Sequence, residues 1–250
     1  MNLVKQKLKA SGIHFIISLS FISISLLLAL KFWYPAPFFE ISGLDHIILI
    51  LITVDVILGP LLTLVVFKPK KPSLKIDLTI IGLVQIVAFC YGFYTIYSAH
   101  PLYIAFAGDR FTPINTNEVD PAKAKYPELK KSKLTGPTLV YVQKPSDPSE
   151  VSRLTMEVLS GKPDLDTRPE YYEPFKKFTD TMLTKSINPE VFQRNNNNKQ
   201  QLNNFLAKHG KQATDYVFLA LSGKERDVLW AFNSQSWEPI DIIDINPFGI

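Results

Sequence analysis

Cysteine is nearly absent from this chain: of 250 residues only Cys90 is one, and it falls inside an apolar run. The stretch 99–250 therefore has no disulfide, however oxidising its compartment. Its stability must come from an apolar core, which a domain of that length can supply. The same stretch lacks a Gly-rich phosphate loop, a nucleophile elbow and a cysteine nucleophile. Its histidines, His100 at the very start and His209 well inside, have no metal-ligand spacing to another ligand. Nothing here argues for an enzyme, a bound metal or a cofactor. A surplus of positive charge is missing too: residues 99–250 carry 19 Lys/Arg and 19 Asp/Glu, so the formal +4 of the whole chain belongs to residues 1–98. A nucleic-acid partner, which needs a basic face, is not supported by that balance. Finally, no apolar run of membrane length follows residue 98.

Three such runs precede it, at 13–32, 47–67 and 78–98. Each is long enough to cross a hydrocarbon core about 30 Å thick as a helix. Seven of the eight lysines in residues 1–98 lie before the first run or in the turn between the second and third, and only Lys31 lies in the other loop. Short-loop lysine marks the cytoplasm. The N-terminus, 1–12, is therefore expected inside, 13–98 in the membrane, and 99–250 on the far side. Trp33 and Tyr34, with Tyr94 and Tyr97, suit the outer aromatic belt. A cleavable signal peptide is the rival reading of the first run, but the run is long for one. It also lacks a small-residue cleavage site before Phe32-Trp33-Tyr34, so an uncleaved anchor is expected.

Asp55 sits near the middle of the second run, where a carboxylate costs several kcal/mol and normally faces a helix interface or wet cavity. Counting from the span ends puts it level with Cys90 and Tyr91, so Tyr91 can donate to it across a tight hairpin; Gln85, nearer the cytoplasm, is the weaker candidate. Gly59-Pro60 predicts a kink with room for close approach. Ala88 and Gly92 form a small-xxx-small pair. Asp55 then either holds this hairpin together as a protonated acid or recognises a partner helix. A proton relay is not supported by three spans with one acid.

In 99–250, 101–111 reads as a strand, 112–135 as a polar connection and 138–143 as a second strand. Helices follow at 148–161 and 169–187, and a third from Glu190 that Asn195–Asn198 interrupts. Runs at 216–221, 228–232 and 239–245 predict an antiparallel meander. The fold class is three transmembrane helices followed by a soluble α+β domain, an antiparallel sheet with helices on one face. Asp109-Arg110 is a strand-end ion pair or a contact for a partner outside the membrane.

Trp33-Tyr34-Pro35-Ala36-Pro37, Val54-Asp55, Leu58-Gly59-Pro60-Leu61-Leu62-Thr63-Leu64, Leu74-Lys75-Ile76-Asp77-Leu78, Gln85, Tyr91-Gly92, and Pro101-Leu102-Tyr103 through Asp109-Arg110-Phe111 occur in this order. The pattern resembles the TfpX/TfpZ family of type IV pilin accessory proteins of the Gram-negative inner membrane, densely from Trp33 to Phe111 and more thinly beyond. The closing segment carries Pro247-Phe248 where that family has Pro-Trp. The resemblance implies a non-enzymatic helper, chaperone-like, in the assembly or retraction of a type IV pilus, and so in twitching motility, with the domain 99–250 periplasmic. Its implied partner is a major type IV pilin, in contact with membrane lipid; a second copy of the chain is the other partner that a helix-packing face can serve. The site residues chosen on physical grounds are Asp55, Gly59, Pro60, Gln85, Ala88, Tyr91 and Gly92 among the helices, and Asp109 and Arg110 outside them. The alternative is a membrane-tethered sensor whose periplasmic domain binds a small ligand.

Overall fold

The structure, a computed structural model, describes residues 2–249, which divide into two compact units, 2–32 with 43–99, and 33–42 with 100–249. The first unit holds α1 (Leu3–Phe32), α3 (Leu44–Leu51), a π-helical segment (Ile52–Leu58), α4 (Gly59–Val66) and α5 (Leu74–Ser98). Together, α1, the continuous 44–66 rod and α5 are three helices long and apolar enough to span a membrane. Large apolar side chains lie exposed all along them, Ile16, Leu27, Leu49, Val65 and Val87 among them. In water that surface would be strongly unfavourable; against lipid tails it is matched. The protein is a membrane protein.

The second unit is built on a mixed seven-stranded sheet. Its strands are β1 (Pro101–Ala107), β2 (Arg110–Asn115), β3 (Thr138–Val142), β4 (Tyr172–Pro174), β5 (Tyr216–Ser222), β6 (Asp227–Asn233) and β7 (Pro239–Ile243). They lie in the order β4-β3-β1-β2-β5-β6-β7. The tail meander is antiparallel as its turns predict, with Leu219 opposite Trp230 and Trp230 opposite Ile242. Two pairs are parallel, β1 with β3 and β2 with β5, where the sequence suggested antiparallel strands throughout. The expected strand 101–111 is instead a hairpin. Gly108, at φ +76, makes the turn that starts β2, a conformation open to glycine at little cost.

Both sheet faces are covered, not one, which is why β1, β5 and β6 read as unbroken apolar runs. On one face Ile104, Phe106, Phe111, Leu219, Trp230 and Phe232 form the core with Phe175 and Met182. On the other lie Tyr103, Ala105 and Val140 under Val119, Ala124 and Leu129, and Phe218 and Leu229 under Phe192, Leu202 and Phe205. The connection 116–137, polar by composition, thus contributes buried anchors, and Tyr103 donates its hydroxyl proton to the Leu129 carbonyl within it.

The region 169–187 is not one helix. Pro174 cannot donate a helical bond; Tyr172–Pro174 pairs with β3 as an edge strand, and only α7 (Thr179–Leu183) is α-helical. Of the side chains at that spacing, Tyr172 and Met182 are nonetheless completely buried, Phe175 is buried and Phe178 is half-buried. A 3-10 helix over Pro189–Arg194 is interrupted at Asn195, which is extended, as the asparagines suggested, and a new helix then starts at Asn196. The Asn195 side chain accepts from the amides of Asn197 and Asn198 and caps α8 (Asn196–His209), the role in which asparagine is favoured. α6 (Pro148–Leu159) is capped by Asp147 in the same way.

The segment 33–42, a plain connecting loop by sequence, is an integral part of this unit. Its short α2 (Phe38–Ile41) places Phe38 edge-on to Trp230 at 5.5 Å. The Ile41 carbonyl accepts from the amides of Lys224 (2.9 Å) and Glu225 (3.3 Å) in the β5–β6 turn. Tyr34 is 2% exposed, so it belongs to this core and not to an aromatic belt in lipid. Trp33 stacks on His100 at 5.2 Å and donates to the Leu134 carbonyl.

Candidate functional site: a buried carboxyl among the helices

Asp55 lies in the middle of the π-helical segment, 4% exposed. Both of its carboxylate oxygens are without a hydrogen-bond partner, the only buried side-chain polar atoms in that condition among the described residues. A buried polar group left unpaired costs free energy that its surroundings do not return. Widened turns of this kind recur at functional positions, and here the widening precedes Pro60. Proline can form no backbone bond to Val56; the Gly59 amide reaches back five residues to Val54, so the ladder is re-registered before the proline. Gln85 Nε2 donates to the Asp55 carbonyl at 3.1 Å. Glycine at 59 makes room for this, since a Cβ there would come within 1.8 Å of Gln85 Nε2.

The sequence-derived set is therefore partly brought together. Asp55, Gly59, Pro60 and Gln85 form one constellation. Gly92 packs under Leu51, whose Cδ2 would lie 2.5 Å from a Cβ at 92, and Ala88 is half-buried on the same helix. Tyr91 does not take part: it is 75% exposed and makes no bond to Asp55. The contacts Leu51–Gly92 and Gly59–Gln85 set a hairpin register with Asp55 opposite Ala88 and Phe89, about two positions from the Cys90 and Tyr91 that counting span ends suggests. Two positions are more than half a helical turn, enough to turn Tyr91 outward and to make Gln85, the weaker candidate, the partner of the Asp55 backbone.

The first helix completes the site, which spacing within the second and third runs could not reveal. His14 Nδ1 lies 2.6 Å from Thr63 Oγ1, Ser11 donates to the Pro60 carbonyl at 2.9 Å, and Lys7 to that of Val65 at 3.1 Å. Five neighbouring polar side chains, Lys7, Ser11, His14, Thr63 and Gln85, have partners; the Asp55 carboxyl has none. Chemically it is an unfilled acceptor surrounded by close-packing helices.

Asp109 and Arg110 occupy a different place. Arg110 Nε and Nη2 bind the two Asp109 oxygens at 2.8 and 3.3 Å, and the guanidinium lies 4.2 Å over the Phe248 ring. The hydrogen bond from Arg110 holds the Asp109 carboxyl below the usual range, with a smaller pull from Lys185. The pair borders a crevice of about 570 Å³ between the β1–β2 turn, the end of β3 and α7. No group of three or more metal-ligating side chains occurs among the described residues.

Fold and sites together define a polytopic membrane anchor carrying a mixed-sheet domain. Residues 2–43, which include the segment built into that domain, match the family described as Fimbrial assembly protein FimB. The fimbrial assembly protein of serogroups C1 and C2 from Dichelobacter nodosus is 34% identical over 113 residues, 44% of this chain and 86% of that protein. Those of serogroup I and serogroup E1 of the same organism are 33% and 34% identical over 139 and 141 residues, 54% of this chain and 54% of each relative. The chain belongs to this fimbrial assembly protein family, although it spans only about half the length of the latter two relatives. No solved structure matches it.

Proposed function

We propose that this protein is a membrane-embedded accessory factor of type IV fimbrial biogenesis, of the TfpX/TfpZ kind, that binds a pilin and modulates its stability, assembly or retraction. It acts by binding and not by catalysis. The inner membrane is its place, with the N-terminus cytoplasmic, as the seven lysines on one side of the spans suggest, and the second unit periplasmic. The names of its relatives support fimbrial assembly. The observation that carries pilin binding is the unpaired Asp55 carboxyl in a helix-packing unit. A pilin before polymerisation offers one apolar helix in the membrane and a head outside it, and this chain has a face for each. Asp55→Leu is expected to leave the protein inserted and to lower pilin co-purification from detergent extracts; unchanged recovery from normally inserted protein would overturn the role.

The sensor reading has one observation in its favour, the polar crevice beside Arg110. It requires that a small ligand raise the melting temperature of the full chain.

A further inference from the structure

β1 and β3 are parallel neighbours, and the crevice beside Arg110 lies at the carboxyl ends of both, lined by Ala107–Arg110 and by Tyr141–Lys144. The two chains diverge there, β1 into a hairpin and β3 toward α6. Parallel sheets open ligand crevices at such points. Three cations line this one, Arg110, Lys144 and Lys185, with Asp109 as its one carboxylate. Asp109 is already engaged by Arg110. Lys144 and Lys185 have no ion-pair partner within 4 Å among the described residues. The crevice therefore carries uncompensated positive charge beside the Thr181 hydroxyl and the Tyr141 ring, which is held flat on Phe178 at 4.2 Å.

Lys144 also lines a second concavity, an apolar groove of about 350 Å³ along α6. The polar side of α6 is fastened down: Arg153 binds Glu150 and Glu157, Arg168 binds Glu157 at 2.7 Å, and the Tyr171 hydroxyl donates to Glu150. That clamp fixes the helix while its other side, Val151, Val158 and Leu159 at 44, 37 and 77% exposed, is left uncovered at the groove. Asp164, also at the groove, accepts from its own neighbour's amide, Leu165, at 2.6 Å.

We propose that crevice and groove form one docking surface for an acidic, partly apolar segment of a partner polypeptide. Its carboxylates meet Lys144 and Lys185, and its apolar side chains lie against α6. Charge complementarity selects this occupant: a purely apolar segment would leave two lysines unmatched, and a free small anion would leave the α6 face bare. The proposal does not rest on the fimbrial reading, and either can fail alone.

The test is selection of random phage-displayed peptides on the full-length protein in nanodiscs, beside the Lys144→Glu/Lys185→Glu and Val158→Asp variants. All three side chains lie at the surface, so folding should hold, and melting temperatures check this. The expected result is enrichment of peptides with Asp or Glu next to apolar residues, captured at least about fivefold more weakly by each variant and less well as salt rises. Enrichment without acidic residues, equal capture by the charge-reversed variant, or full displacement of the peptides by inorganic phosphate or succinate alone would overturn it, the last indicating a small-anion site.

Discussion

Gly223, in the β5–β6 turn, is where segment 33–42 meets the sheet, and replacing it with alanine tests whether that docking is integral to the domain. A Cβ there would fall 2.6 Å from the Arg226 carbonyl oxygen, 2.7 Å from Ile41 Cβ and 3.0 Å from the Ile41 carbonyl oxygen. None of these is the tip of a flexible side chain, so the backbone must move. Overpacking of this kind costs about 1–3 kcal/mol. The Lys224 and Glu225 amide bonds to Ile41 are then strained or lost, at about 1 kcal/mol for each bond. The Arg226–Glu40 ion pair, 2.9 Å long on exposed side chains, adds little. A total of about 3–5 kcal/mol corresponds to a fall of roughly 6–20 °C in melting temperature for a domain of this size. Thermal unfolding of the full chain in detergent measures it, and limited proteolysis supplies the local readout, since an undocked 33–42 becomes cleavable. An unchanged melting temperature with an unchanged cleavage pattern would refute the reasoning.

Two further outcomes follow from the domain. Phe111 is fully buried, with its ring 5.0–5.4 Å from Phe106, Trp230 and Phe232; Phe111→Ala is expected to cost about 3–5 kcal/mol, read by denaturant unfolding. Glu150 is held down to about 2 by its hydrogen bonds from Arg153 and then Tyr171. Because the folded value lies below the ordinary one, the stabilisation is present above the usual carboxylate range and is lost as pH falls toward about 2. The clamp on α6 should therefore loosen in acid, seen as earlier proteolysis within 148–159, and Glu150→Gln should weaken that pH dependence, leaving the part that Glu157, also held low by Arg168, contributes.

The membrane spans were legible because an unbroken apolar run of about twenty residues suits little besides a helix that crosses a bilayer. The tail meander was legible because Ser222-Gly223 and Asn233-Ser234 punctuate it. Aromatic spacing in 169–187 identified the buried side chains correctly but not their backbone, since Pro174 interrupts a helix without disturbing which residues face inward. The parallel pairs were not legible: β1 joins β3 only across the long connection 116–137, and no local signal reports such a pairing. Asp55 and Gly59 declared themselves by expense and by size. Ser11 and His14 did not, because their meaning depends on α1 lying against α4. Tyr91 misled because a register inferred from span ends was off by about half a turn, and α5 begins at Leu74, four residues before its apolar run. The burial of Tyr34 depends on a docking that composition does not encode.

The most direct test of the central claim is photocrosslinking in the native cell from a probe at Ile57, two residues from Asp55 and 49% exposed, with the captured protein identified by mass spectrometry. The account expects a pilin adduct that Asp55→Leu diminishes. Self-crosslinks alone, or an adduct with a different membrane protein, would contradict it.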